Sequence, residues 1–239
     1  MNAMTEPLRL AKRVAALAGC SRREAELYIE GGWVRVDDVV IAEPQHRVTE
    51  DQRIVLDPAA TAVALEPVTL LLHKPAGAGA QEALQMLTPP GHAGAQPAVR
   101  IVQRHFAHLT PLLPLPAPAS GLAVFSQQRG VIRRLTEDAS TLEQEVVAEV
   151  DGDAAGDALP RLCHGLVREG RALPPIKVSW QSERRLRFAL KGVAPELVPW
   201  MCEQVGLRVL SLKRIRIGRV PMAGLPEGQW RFLRREERF

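Results

Sequence analysis

The chain of 239 residues is poor in the residues that build disulfide frameworks, aromatic platforms and membrane spans. Its three cysteines, Cys20, Cys163 and Cys202, lie far apart and match no metal-ligand spacing, so we expect reduced thiols and no bound metal. No apolar run approaches the roughly 20 residues that a transmembrane helix needs, and the N-terminal residues lack the apolar stretch of a secretory signal. We therefore expect a cytoplasmic protein without membrane contact. Only 4% of the residues are aromatic, with a single tyrosine, and no Gly-rich phosphate loop is present, so we expect no cofactor.

The net charge of +4 is small, but its distribution is uneven. Residues 200–239 carry nine basic and four acidic side chains, and a smaller basic cluster lies near the N-terminus. Two separated basic surfaces suit an extended polyanion better than a small acidic substrate. Ordinary solvated arginines would give the same counts, so the charge alone leaves the choice open.

Residues 8–57 predict a small module of two helices and short strands. Gly19 and the Gly31–Gly32 pair end the two helices, and Ser21 with Glu24 has the pattern of a capping box at the start of the second. The predicted strands are 34–36, 39–41 and 54–56, with a turn at Asp37–Asp38.

Arg22 and Arg23 fall in the first turn of the second helix, where the helix dipole is positive. A cation there is disfavoured by about 0.3–1 kcal/mol at an exposed site. The arrangement is explained if a phosphate binds beside the free N–H groups of that turn. The alternative is that two exposed arginines tolerate this small cost.

The remainder of the chain predicts an α+β domain. Residues 58–67 (DPAATAVALE) have the composition of a linker, and residues 68–239 interleave strands and helices without strict alternation, which indicates a mixed sheet. In the closing tract Lys213–Arg219, isoleucines alternate with arginines. On a regular strand this places Arg214 and Arg216 in one solvent-facing row suited to phosphate. The alternative is a solvated edge strand protected by its charges.

The motifs carry a family resemblance over nearly the whole chain. Residues 8–12 (LRLAK), 19–25 (GCSRREA) and 32–36 (GWVRV) resemble the S4-type RNA-binding domain. Downstream segments resemble, in the same order, the catalytic domain of the ribosomal-RNA pseudouridine synthases, closest to the large-subunit, dual-specificity branch. These segments are LLLHKPAG (70–77), SGLAVFS (120–126), EQEVVAEVD (143–151), MCEQVG (201–206), LKRIRIG (212–218) and LPEGQWR (225–231). The resemblance implies an S4-type domain at 1–57, a linker at 58–67 and a pseudouridine-synthase-like mixed-sheet domain at 68–239.

The resemblance fails at the positions that carry the family's chemistry. Alignment on Gly121 puts Pro116 at the position of the catalytic aspartate and Pro114 at that of the neighbouring arginine. The tyrosine that packs on the target base falls at Val146, and the adjacent lysine falls at Gln144. Isomerisation of uridine breaks and remakes a glycosidic bond, which needs a carboxylate as nucleophile or proton acceptor. Proline supplies neither, so we expect no catalytic residue in this chain.

Three hypotheses follow. The first is an RNA-binding protein, acting on ribosomal RNA as a monomer, that has lost synthase activity. The second is an active RNA pseudouridine synthase, and the third is a protein-interaction scaffold on the same fold. The RNA-binding residues predicted under the first hypothesis are Arg9, Lys12, Arg13, Ser21, Arg22, Arg23, Lys74, Arg214 and Arg216.

Overall fold

A computed structural model of the chain describes residues 6–94, 99–154 and 156–239. Its contacts divide the chain into two units. The first contains the described parts of 1–67 and 97–107, and the second contains those of 68–96 and 108–239. This division differs from the boundaries expected from sequence in two places, because the predicted linker 58–67 and the later segment 97–107 both group with the first unit.

In its described residues, the first unit contains two α-helices, five short strands and a 3-10 turn at Gln103–Phe106. Its elements are β1 (Leu8–Arg9), α1 (Leu10–Ala18), α2 (Arg22–Glu30), β2 (Val34–Val36), β3 (Val39–Val40), β4 (Arg47–Val48) and β5 (Ile54–Leu56). Strand β2 lies between β3 and β5 in a small antiparallel sheet, and β1 pairs with β4. The buried side chains come from both helices and from the strands: Leu10, Ala11, Val14, Ala25, Ile29, Val34, Val36 and Val48.

The local signals read from sequence are confirmed here. Helix α1 ends at Gly19 in the left-handed conformation, with φ of 62°. The Ser21 hydroxyl accepts from the Glu24 N–H at 3.2 Å, and the Glu24 carboxylate accepts from the Ser21 N–H at 2.9 Å, which completes the capping box. Asp37 and Asp38 both have positive φ between paired Val36 and Val39, the geometry of a two-residue hairpin turn.

The later segment 99–107 packs onto the first unit through specific contacts. The Arg100 guanidinium lies 3.4 Å from the centroid of the Trp33 ring and donates to the Gly32 carbonyl oxygen at 3.2 Å. Val102 is buried, and Arg104 lies 3.8 Å from a Glu30 carboxylate oxygen. These contacts join residues far apart in sequence, so periodicity and composition could not predict them.

The second unit is built on a large mixed sheet and a separate pair of short strands, β10 and β11. The strands of the unit are β6 (Thr69–Lys74), β7 (Thr110–Leu112), β8 (Ser120–Ser126), β9 (Glu143–Gly152), β10 (Val167–Arg168), β11 (Arg171–Ala172), β12 (Lys177–Ser182), β13 (Arg185–Lys191), β14 (Leu207–Ile217), β15 (Val220–Pro221) and β16 (Trp230–Phe232). Its helices are α3 (Ala80–Gln85), α4 (Arg129–Thr136), α5 (Ala158–Cys163) and α6 (Val198–Glu203). The main path of the sheet is β12-β13-β9-β14-β8-β6-β16, in which β14 and β8 are parallel and the other pairs are antiparallel. The α+β fold with a mixed sheet is therefore confirmed.

One face of this sheet buries the larger hydrophobic core. Val146 and Ala148 of β9 lie opposite Phe188 and Leu186 of β13 and are fully buried. Helices α5 and α6 contribute further side chains to the same cluster, among them Leu162, Val198, Met201 and Cys202. No helix in the described residues has the length and apolar character needed to cross a membrane.

Candidate nucleic-acid interface

Four cationic side chains of the first unit line one pocket of about 470 Å³. Arg9, Lys12 and Arg22 come from the predicted set, and Arg47 joins them from β4. The pairing of β1 with β4 places Arg47 directly opposite Arg9, and Lys12 lies three residues after Arg9, at the start of α1. Among the described residues that line the pocket, Glu6 alone is acidic. The pocket is therefore strongly electropositive, as a phosphate-binding surface requires.

Arg47 was missed by the sequence analysis. It stands alone in a polar stretch, and no local pattern connects it to Arg9. Its Nη1 donates to the Pro7 carbonyl oxygen at 2.9 Å, which fixes the guanidinium beside the rim of the pocket. The strand pairing that brings it there is a tertiary contact across 38 residues of sequence.

Three other predicted residues, Arg13, Ser21 and Arg23, do not line this pocket. The Ser21 hydroxyl is occupied as the cap of α2, and Arg23 lies 3.7 Å from a Glu26 carboxylate oxygen. Arg22 is also paired with Glu26, at 3.2 Å, although it reaches the pocket. The first turn of α2 also carries the carboxylate of Glu24. The pKa of Glu24 is lowered by its hydrogen bonds with Ser21, first with the side chain and second with the backbone N–H. Roles for these residues in binding RNA stay predictions.

The expected row of solvent-facing arginines on the closing strand is wrong. Arg214 pairs with Val146, whereas Arg216 pairs with Glu145, so the register shifts between them by a β-bulge. Since Val146 and Glu145 are adjacent residues of β9, they face opposite sides of the sheet, and the two arginines do the same. Arg214 is 1% exposed.

Arg216 lies on the other side of the sheet in a network of ion pairs. It contacts Glu143 and Glu145, with 2.7 Å between its Nη2 and the Glu145 carboxylate, and Glu145 also contacts Arg187. The hydrogen bond from Arg216 is the main reason why the pKa of Glu145 is lowered, despite the opposing effect of burial. Arg216 is therefore committed to carboxylates of its own chain.

Among the described residues, Arg214 hydrogen-bonds to two neutral oxygens. Its Nε donates to the Leu122 carbonyl oxygen and its Nη1 donates to Gln144 Oε1, both at 2.8 Å. Its Nη2 is buried without a hydrogen-bond partner in the described structure. Burial lowers the pKa of Arg214 to about 9, which leaves it charged at neutral pH.

Lys74, which the sequence analysis assigned to RNA, is also buried, at 2% exposure. Its Nζ donates to the carbonyl oxygens of Pro75 (3.0 Å), Ala78 (2.7 Å) and Ala117 (3.2 Å). These bonds use all three ammonium hydrogens and tie the loop before β8 to the end of β6. Burial, and secondarily the charge of Arg214, lowers the pKa of Lys74. The Lys74 ammonium group therefore organises the backbone around it, and its assignment to RNA binding stays a prediction.

Residues 113–119, which align with the family's catalytic loop without sharing its residues, pack against apolar side chains. Leu115 and Ala119 lie in the same buried cluster as Val146, and Pro116 begins a turn in which the Ala119 N–H donates to the Pro116 carbonyl oxygen at 3.0 Å. The Ala117 carbonyl oxygen also accepts from the Gly77 N–H at 2.7 Å. The loop is therefore held from two sides, and the side chains beside Pro116 belong to the core.

The described residues contain no group of three or more His, Cys, Asp or Glu side chains arranged to hold a metal ion. In the described structure, the side-chain atom that accepts a hydrogen bond from Arg214 is the amide oxygen of Gln144. Arg214 and Lys74 therefore form, in the described structure, a buried pair of positive charges whose hydrogen bonds go to neutral oxygens.

Comparison with known proteins agrees with this architecture. Residues 8–54 match the S4 domain family. The chain is 24% identical over 233 residues to an uncharacterized RNA pseudouridine synthase of Aquifex aeolicus (strain VF5), covering 96% of this chain and 94% of the relative. It is 24% identical to the dual-specificity RNA pseudouridine synthase RluF of Escherichia coli (strain K12), covering 96% and 77%. It is 27% identical to the ribosomal small subunit pseudouridine synthase A of Pseudomonas aeruginosa, covering 96% and 98%. A crystal structure of a pseudouridylate synthase superposes with a TM-score of 0.59 at 19% identity, covering 95% of this chain and 96% of the other.

An S4 domain followed by this mixed-sheet domain defines a class of RNA-binding protein whose second domain has the pseudouridine synthase fold. Along nearly its whole length the chain is similar to RNA pseudouridine synthases, at 24–27% identity. The S4 domain and these relatives imply RNA binding.

Proposed function

We propose that this protein is an RNA-binding member of the family that acts without synthase activity, on ribosomal RNA, in the cytoplasm and as a monomer. The observation that supports the loss of activity is the content of the altered site. The position aligned with the catalytic aspartate is Pro116, and the buried Arg214 beside this loop hydrogen-bonds to a carbonyl and an amide instead of a carboxylate. Leu115 and Val146 fill the surrounding space with apolar surface.

The support for RNA binding is the pocket of the first unit, where Arg9, Lys12, Arg22 and Arg47 converge. Phosphate contacts made by such side chains position RNA without reading its sequence. This surface lies in a unit that does not contain the altered loop. Loss of the chemistry therefore leaves the binding surface intact.

Two measurements on the full-length protein test the proposal. Unmodified ribosomal-RNA transcripts are incubated with the protein, and pseudouridine is mapped by chemical probing, with the Escherichia coli dual-specificity synthase as positive control. We expect no modified uridine above background, together with measurable binding of the same transcripts. A modified site that depends on this protein would support the second hypothesis, an active synthase. Absence of RNA binding would support the third, a protein-interaction scaffold.

A further inference from the structure

The excess positive charge of residues 200–239 is displayed by four exposed arginines, which we call the arginine cluster: Arg219, Arg234, Arg235 and Arg238. Within the described residues, none of the four takes part in an ion pair. The other arginines of this segment are engaged or enclosed, since Arg208, Arg216 and Arg231 each pair with a carboxylate and Arg214 is buried. The cationic surface of this segment is therefore the cluster and not the strand that the sequence pattern indicated.

The four arginines come from two segments that lie against each other. Gly218, which precedes Arg219, is so close to Phe239 that an added Cβ would be 3.1 Å from the Phe239 carbonyl carbon. Leu233 and Phe239 also pack on the buried side chains that follow and precede this turn, among them Ile217 and Val220. Arg219 and the neighbour of Phe239, Arg238, therefore start from nearby backbone positions.

The segment that carries three of the arginines is ordered by the ion pair between Arg231 and Glu237. These two side chains are 14% and 12% exposed, and both terminal guanidinium nitrogens of Arg231 donate to the carboxylate, at 2.7 and 2.8 Å. The Glu237 carboxylate also accepts from the Arg234 N–H at 2.9 Å, which closes a turn containing Arg235. Arg238 donates to the Glu237 carbonyl oxygen at 2.7 Å. Side chains on an ordered backbone lose less conformational freedom on binding, so the cluster is organised for a ligand.

The chemistry of the cluster fits the phosphate backbone of a nucleic-acid duplex. Arginine binds phosphate through paired N–H donors, and Glu237 is already neutralised by Arg231, which leaves Glu236 as the acidic side chain within residues 233–239 that carries an unbalanced charge. The aromatic residues of this segment, Phe232 and Phe239, are packed against other side chains. Binding of single strands combines cations with aromatic rings that stack on the bases, whereas an RNA duplex keeps its bases stacked and presents phosphates and 2′-hydroxyls.

We propose that the arginine cluster binds the phosphate backbone of double-stranded RNA. This inference rests on the proposed function only in taking RNA as the partner. It adds to the pocket of the first unit a second RNA-binding surface, in the second unit, with a preference for duplex.

The test measures binding of a labelled RNA duplex to the full-length protein by fluorescence anisotropy at several salt concentrations. The variant combines Arg219→Gln, Arg234→Gln and Arg235→Gln, whose side chains donate no hydrogen bond within the described structure, so we expect it to fold as the wild type does. Each phosphate contact contributes about −0.9 to the slope of log K against log salt concentration, the value for duplex DNA. We therefore expect the slope to become less steep by about 2.7, which makes the loss of affinity between 50 and 200 mM salt about 40-fold smaller than in the wild type. The same three positions changed to lysine keep the charge and should keep the slope.

The matched control combines Arg171→Gln, Arg184→Gln and Arg185→Gln, which removes three exposed arginines from another part of the second unit and should leave the slope unchanged. An unchanged slope in the cluster variant, or an equal reduction in the control, would overturn the proposal. An equal reduction with single-stranded RNA would overturn the assignment to a duplex. Formation of pseudouridine would refute the proposed function without affecting this inference, and a wild type that binds no RNA would refute both.

Discussion

Replacing Lys12 by glutamine tests whether the pocket of the first unit is the RNA-binding surface. Lys12 is exposed on α1, so its removal has little effect on folding. Each phosphate neutralised on single-stranded RNA contributes about −0.7 to the slope of log K against log salt concentration. If Arg9, Lys12, Arg22 and Arg47 each contact one phosphate, the slope is about −2.8, and affinity falls about 50-fold between 50 and 200 mM salt.

In Lys12→Gln we expect a slope of about −2.1 and a loss of about 20-fold over the same range. The assay is fluorescence anisotropy with a labelled single-stranded RNA at four or more salt concentrations. The matched control is Lys177→Gln, which removes the same charge from an exposed position in the second unit and should leave the slope unchanged. Equal slopes in the wild type and Lys12→Gln, or an equal reduction in Lys177→Gln, would refute the assignment of RNA binding to this pocket.

Two further variants test the second unit. Gly121→Ala should lower the free energy of unfolding, measured by urea denaturation, by about 2–5 kcal/mol. A φ of 109° disfavours alanine, and the added Cβ would collide with the Arg214 backbone. A loss under about 1 kcal/mol would contradict the close approach of β8 and β14. Glu145→Gln should cost about 2 kcal/mol at pH 7, since it breaks the ion pairs with Arg187 and Arg216. The folded-state pKa of Glu145 lies below 4.5, so its contribution is present above that pH and is lost as the pH falls through the lower value. A deficit in this variant that is unchanged at pH 3 would show that the ion pairs are not its source.

Features encoded by neighbouring residues were predictable from the sequence. The capping box of Ser21 and Glu24, the end of α1 at Gly19 and the turn at Asp37–Asp38 each depend on a few consecutive backbone angles. The order of the motifs likewise predicted the S4 domain and the mixed sheet, because those motifs span whole strands and turns.

The placement of side chains in the two sites was less predictable. Period-2 alternation predicted a shared face for Arg214 and Arg216, but a bulge against β9 separates them. Lys74 was expected on a binding surface, yet its ammonium group is enclosed by three carbonyl oxygens. The first error arises because a strand pattern carries no information about the register of its partner, and the burial of Lys74 depends on the loops that pack around it.

The sequence by itself determined the resemblance to pseudouridine synthases, the α+β class and the proline at position 116, because these depend on which residues are present and in what order. Only the tertiary structure decided which cationic side chains line a pocket and which are buried. It placed Arg47 opposite Arg9 and buried Arg214 beside Lys74, through strand pairings between distant segments. Whether a charged side chain meets solvent is set by register and by packing across the sheet, and those are properties of the folded chain.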